Sequence, residues 1–360
     1  MKAEPGLFGL KNTNRDFKLK ETWGKNQFNS SFPAALCCYL AFKNMQANYL
    51  SISGGIFKPD LISIENVFGI GFNDEDAFFA FESQHTPYQK HVIGSLPRTD
   101  LVIQRKSTGE CLSGLEVKLT ALPDNTTCSL DEGLYGSEIV VRPDTIVYLA
   151  CSIATGLSTN LGELIPDIEI QDWTDANLVL EKIADIVGAI EKISIALENK
   201  QRAFLLQPIW KTNGKAPNLA ENCLDMFVWS DAGFCYFISK IAKGVSGTTG
   251  ITRQTRTAVW LFKMLSDIKN NGHFNHETII DTLSYNTKND KAFASAGNVT
   301  NKYMKCERLI KPVILKSQIK EIILGGGQNL LSRGFKFEVQ QLRVAWRNAL
   351  SPRRILHMAF

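Results

Sequence analysis

Apolar residues along this chain follow two rhythms, and each predicts a different kind of element. Between Thr174 and Asn199, the residues Leu178, Ile183, Ile186, Val187, Ile190 and Ile193 return at helical spacing, opposite Glu181, Asp185 and Lys192. A stripe of that kind predicts an amphipathic helix with one face inward. Between Thr99 and Leu122 the rhythm is strand-like: Leu101, Val102 and Ile103 form a short β-type run, Ser107-Thr108-Gly109 supplies turn residues, and Leu115 to Leu122 reads as a second strand. Together they predict a hairpin.

The remaining segments are read in the same way. Ser30, Ser31 and Pro33 are helix-start residues ahead of apolar Ala34 to Met45, and Asp76 to Gln84 reads as another helix. Thr145 to Ala154 is an apolar segment that stays open between strand and helix. Ala203 to Ile209 reads as a buried strand, and Thr255 to Ile268 fits a helix with Val259, Leu261, Phe262 and Leu265 inward. Beyond about residue 240 glycine-rich turns alternate with basic helices; Gly325-Gly326-Gly327 breaks one segment, and Phe335 to Arg347, strand or helix, carries Lys336, Arg343 and Arg347. The order helix, hairpin, helix, strand predicts an α/β protein with a mixed central sheet flanked by helices. Residues 1–240 would form this core and 241–360 a basic recognition part, unless the two are one continuous domain.

The hairpin also carries the candidate chemistry. Alternate side chains of a strand share a face, so Glu116, Lys118 and Thr120 would point one way, toward a cleft, and Leu115, Val117 and Leu119 the other. Asp100, at the head of the preceding strand, would meet them. Two carboxylates and a lysine suit hydrolysis of a phosphodiester. Mg²⁺ prefers hard oxygen ligands and is held by one or two carboxylates together with phosphate oxygens, which Asp100 and Glu116 could supply. A bound divalent ion lowers the pKa of water and offsets charge on the phosphoryl oxygens, while Lys118 could orient the attacking water. A Glu-x-Lys pair also occurs in ordinary edge strands whose charges face solvent, so the added aspartate is what sharpens the reading. Asp60, after Pro59 and before the apolar run Leu61 to Ile64, is a rival carboxylate, and Glu65 or Glu82 could add a metal ligand.

Thr99-Asp100, followed by Leu115-Glu116-Val117-Lys118-Leu119-Thr120-Ala121-Leu122-Pro123-Asp124, resembles the PD-(D/E)xK nuclease core of the HindVP-like type II restriction endonucleases. The stretches Gly6 to Asn12 and Trp23 to Pro33 are similar to the start of those proteins. One departure is that the proline stands at Pro97 and not beside Asp100. The resemblance implies a restriction-endonuclease-like core, Mg²⁺ as cofactor, Asp100, Glu116 and Lys118 as catalytic residues, and cleavage of duplex DNA at a degenerate palindrome of the type GRCGYC. It also implies a companion DNA methyltransferase that forms no stable complex. A twofold site is most simply cut by a twofold dimer, so a homodimer is expected.

Composition narrows the class. The chain has 360 residues with 44% hydrophobic content, enough for a sizeable core. No uninterrupted apolar stretch has the length of a membrane helix, and an N-terminus with Glu4 and Asp16 does not read as a signal peptide, so a cytoplasmic enzyme is expected. Eight cysteines without paired metal spacing read as reduced core thiols. The net charge of +4 is unevenly spread: from Lys302 to Arg354 twelve Lys and Arg face three Glu, and from Asn160 to Glu198 nine acids face two lysines. A basic pole of this kind suits a duplex, whose counterions it would release, although a solvated face is the ordinary origin of a charge run.

Other motifs carry less. Gly244 to Gly250 has the composition of a phosphate-cradling loop, but no Gly-Lys-Ser/Thr follows. His273 and His276 near Glu277 have no fourth ligand at a recognised spacing. His85 and His91 flank Pro87 with no nucleophile setting beside them. Two rival functions fit the same residues. A repair or recombination nuclease would share the trio and differ in lacking a neighbouring methyltransferase gene; a non-catalytic DNA-binding protein would keep the basic pole and make no use of the acids.

Overall fold

The computed structural model describes residues 46–71, 74–117, 139–200, 202–212, 219–244, 249–285, 293–295 and 314–315. The expected helix at 34–45, the Gly325 to Gly327 break, the element at 335–347 and the basic run 302–354 lie largely or wholly outside those residues. The strands are β1 (Ala47–Ser53), β2 (Ile56–Ile62), β3 (Ala77–Ser83), β4 (Thr99–Arg105), β5 (Cys111–Val117), β6 (Ile139–Val141), β7 (Ala203–Thr212), β8 (Leu219–Ser230), β9 (Phe293–Ser295) and β10 (Ile314–Leu315). Eight of them form one sheet in the order β2-β1-β8-β7-β5-β4-β3, with β10 added on β8, while β6 and β9 pair separately. β1 with β8 and β5 with β7 run parallel, and the other sheet neighbours run antiparallel, so the sheet is mixed as expected.

The main helices are α1 (Ile64–Phe68), α2 (Pro143–Gly156), α3 (Ala176–Glu181), α4 (Ile183–Ala196), α5 (Asp231–Gly244), α6 (Arg253–Asn271) and α7 (His276–Thr282). α2, α4, α5 and α6 bury a shared core that runs in sequence from Leu50 to Leu283. Ile186, Ile190 and Ile193 of α4 are fully buried in it, each contributing about 1.5–3 kcal/mol of apolar burial. Trp229 of β8 packs on Phe234 and Phe237 of α5, with ring centroids 6.0 and 5.3 Å apart. On a separate part of the sheet, Phe68 of α1 meets Phe79 of β3 edge to face at 5.7 Å. Among the described residues no helix is long and apolar enough to cross a membrane.

Three segments depart from or sharpen the sequence reading. Residues 76–84 are not a helix: Ala77–Ser83 is strand β3, paired with β4 from Ala77↔Arg105 to Ser83↔Thr99. Three phenylalanines in seven residues favour a pleated surface, and the segment is too short for a stable helix of its own. The helix expected from Thr174 to Asn199 is divided at Lys182, whose N–H bonds back three residues to Val179 and whose carbonyl then starts the α4 ladder. Thr145 to Ala154, open between strand and helix, lies inside α2, started by Pro143 with its fixed φ. All ten of those residues are buried, so no exposed face reveals a period.

Candidate active site

The hairpin turns through Gly109, which takes a left-handed φ of 72°; a residue with a Cβ adopts that conformation reluctantly. Its N–H bonds Arg105 O at 2.8 Å, and Arg105 N–H bonds Glu110 O at 2.9 Å. Ser107 tethers the turn to the residue before β3 by donating its N–H and hydroxyl to the Asp76 carboxylate, both at 2.7 Å. Those hydrogen bonds, the hydroxyl first, hold Asp76 below the usual carboxylate range. Arg105 adds an ion pair to Asp74.

Register then brings the acids together. β4 and β5 pair as Leu101↔Leu115 and Val102↔Gly114, and one further step along that ladder sets Asp100 across from Glu116. Val117 N–H donates to Asp100 Oδ2 at 3.0 Å, so the aspartate lies against the backbone one residue beyond Glu116. Glu116 itself is 7% exposed. Thr99 Oγ1 lies 3.2 Å from its Oε2 and also bonds Leu115 O at 3.0 Å, while Thr145 Oγ1 of α2 donates to its Oε1 at 3.2 Å. Sequence alternation placed Glu116 on a face open to a cleft and Leu115 and Val117 on the apolar side. Instead all three are buried, because α2 covers the glutamate. Lys118, Leu119 and Thr120 lie outside the described residues.

The other candidate residues are placed elsewhere. Asp60 is on β2, separated from β5 by β1, β8 and β7, so it does not join Glu116. Glu65 occupies the first turn of α1. Glu82 stands in β3 between the pairs Phe81↔Leu101 and Ser83↔Thr99, beside Asp100 in register, with a left-handed φ of 48°. Among the described residues no three His, Cys, Asp or Glu side chains come close enough to hold a metal ion. His276 Nε2 lies 3.0 Å from Ser95 O, and His91 Nδ1 lies 3.4 Å from Gly272 O; both tie the 85–96 loop to the 272–276 turn. His85 is buried with its ring 4.5 Å from Tyr88, and burial, aided by the Arg202 charge, pushes its pKa down to about 4, so it is neutral near pH 7.

Thr99, Thr145 and Tyr148 escaped the sequence reading. Tyr148 donates to Pro97 O at 2.8 Å and accepts from His85 N–H at 3.1 Å, joining the loop before β4 to the segment just after β3. Burial pushes the Tyr148 pKa up, so it stays a donor. Thr99 entered the motif only as the neighbour of Asp100, and nothing local marks Thr145 or Tyr148, since a hydroxyl inside an apolar run has no partner until the chain is folded.

The mixed sheet flanked by helices is consistent with the restriction-endonuclease-like class of α/β proteins. The chain belongs to the HindVP restriction endonuclease family, whose model matches residues 23–341. It is 49% identical over 341 residues to the probable type II restriction enzyme HindVP of Haemophilus influenzae, covering 94% of this chain and 93% of that protein. It is 43% identical over 337 residues to the type II restriction enzyme HgiDI of Herpetosiphon aurantiacus, covering 91% and 93%. No solved structure matches the chain.

Proposed function

We propose that this protein is a Mg²⁺-dependent type II restriction endonuclease that hydrolyses both strands of duplex DNA at a short palindrome of the GRCGYC type. The observation that carries the reading is the meeting of Asp100 and Glu116 on paired strands, in a chain so similar to two named type II restriction enzymes. The donor set fits a hard divalent cation: two carboxylates offer oxygen ligands and leave further positions to water and phosphate. In this reading Asp100 and Glu116 hold the ion, and Lys118, two residues beyond Glu116, orients the attacking water and takes up charge on the phosphoryl oxygens. Held there, a divalent ion would supply a more acidic water and a counter-charge for the phosphate. The basic run between Lys302 and Arg354 grips phosphate, two copies of the chain act on the twofold site, and a separate methyltransferase protects the host DNA.

The test is cleavage of unmethylated phage DNA with Mg²⁺, followed by sequencing of the ends. Asp100→Asn and Lys118→Ala are expected to abolish cutting while duplex binding in Ca²⁺ persists. Cleavage at wild-type rates by either variant overturns the assignment of that residue, and fragment ends without a common sequence overturn site-specific restriction.

A further inference from the structure

We propose that Thr145 is a positioning residue for the candidate metal-binding glutamate: its hydroxyl, with that of Thr99, fixes the orientation of the Glu116 carboxylate, and helix α2 is the brace that sets its height. The inference rests on the reading of Glu116 as a metal ligand given above and goes beyond it by assigning what holds that ligand still.

The two oxygens of Glu116 are each met by a threonine hydroxyl at 3.2 Å, from two different elements. Thr99 is the looser of the two. Its single hydroxyl proton faces two acceptors, Leu115 O at 3.0 Å and Glu116 Oε2 at 3.2 Å, and cannot serve both fully. Thr145 donates to Glu116 Oε1 and is itself fully buried, so the bond is shielded from water. A carboxylate oxygen has two lone pairs, so one that accepts a hydrogen bond can still ligate a cation. A bracket of this kind restricts rotation of the side chain and is compatible with its role as a ligand.

The helix is held at two further points along the same face. Tyr148, three residues on from Thr145, bonds Pro97 O and His85 N–H. Ser152, seven residues on, donates to Asp231 Oδ2 at 3.4 Å, and its carbonyl accepts from Arg202 Nη1 at 3.2 Å. Positions i, i+3 and i+7 of a helix lie on one side. Thr145, Tyr148 and Ser152 therefore form a polar stripe on a helix whose neighbouring positions are buried and apolar. Buried polar groups are costly unless paired, and each of these is paired: Thr145 to β5, Tyr148 to the segment between β3 and β4, and Ser152 to the start of α5. The anchors at Pro97 and His85 tie α2 to the segment that leads into Asp100, so a single helix sets both acids of the site relative to each other.

The experiment titrates Mn²⁺ into the full chain without DNA and reads free aqueous Mn²⁺ by electron paramagnetic resonance. Glu116→Gln is the reference and is expected to lose the site. Thr145→Val, which keeps the shape and removes the hydroxyl, is expected to weaken Mn²⁺ binding about 10-fold or more, the usual effect of removing a group that orients a metal ligand. Thr145→Ser is expected to bind as the wild type does, whereas its thermal midpoint falls because a buried methyl is lost. A purely structural threonine gives the opposite order, with Ser worse than Val in both measurements. Thr145→Ala and Thr145→Ser differ by the hydroxyl alone, and their comparison separates the same two cases if the valine variant does not fold. Wild-type affinity in both hydroxyl-free variants, with loss in Glu116→Gln, overturns this inference alone. Wild-type affinity in Glu116→Gln overturns the metal reading of the site.

Discussion

Asp231 makes the structure accountable in a pH titration. It is fully buried at the start of α5, where its Oδ1 accepts from Ala232 N–H at 2.8 Å and its Oδ2 from Ser152 Oγ at 3.4 Å. Burial pushes its pKa from 3.8 up to about 6, against the opposing pull of the Arg202 charge and these hydrogen bonds. Between those two pH values the folded chain keeps a proton that the unfolded chain has released. Stability therefore falls as pH rises through the window and levels off above it. A shift of about two units corresponds to about 3 kcal/mol in all, of which about 2 kcal/mol is lost between pH 4.5 and 7. Asp231→Asn keeps a carbonyl oxygen for Ala232 and removes the titration. Urea unfolding of both proteins at half-unit intervals from pH 4.5 to 7 is expected to show the wild type losing about 2 kcal/mol relative to the variant. All other titrating groups cancel in that difference. A difference that stays constant across the range refutes the burial argument.

Two further outcomes follow from packing and capping. Gly233→Ala would place a Cβ 2.3 Å from Leu50 O and 3.0 Å from Ser230 Oγ, forcing α5 away from β1; a loss of about 1–3 kcal/mol is expected in urea unfolding, and an unchanged midpoint refutes the close approach. Thr252 caps α6 by accepting from Thr255 N–H at 3.2 Å, so Thr252→Ala is expected to cost about 1 kcal/mol, with Thr252→Asp restoring most of it; equal stability of the alanine variant in the same assay would contradict the cap.

How far the fold could be read in advance depended on whether a segment keeps a wet face. β4, its turn and the Leu115 to Val117 part of β5 were legible because Leu101 to Ile103, Gly109 and Leu115 to Val117 carry strand and turn chemistry locally; β5 begins earlier than expected, at Cys111, and 118–122 of the expected strand lie outside the described residues. α4 and α6 were legible because Asp185 and Lys192 in one case, and Lys263, Asp267 and Asn270 in the other, leave a polar side. α2 offered no such contrast, since Thr145 to Ala154 is enclosed on all sides. β3 misled because a run flanked by Asp76 and Gln84, with Glu82 and Ser83 inside it, imitates a short helix, while its actual hydrogen bonds are to β4, some twenty residues on.

The site shows the same limit more sharply. Alternation along β5 correctly separates Glu116 from Leu115 and Val117, but which side is wet is decided by whatever packs there, and that is a helix that begins 27 residues later at Pro143. Burying an ionised carboxylate is costly unless hydrogen bonds replace its water. Once Glu116 is known to be 7% exposed, hydroxyl donors in the covering elements become a physical requirement, and Thr99 and Thr145 meet it. The inference therefore runs from the buried acid to its partners and not the other way, because a threonine in an apolar helix, read alone, is as consistent with filling space as with holding a ligand.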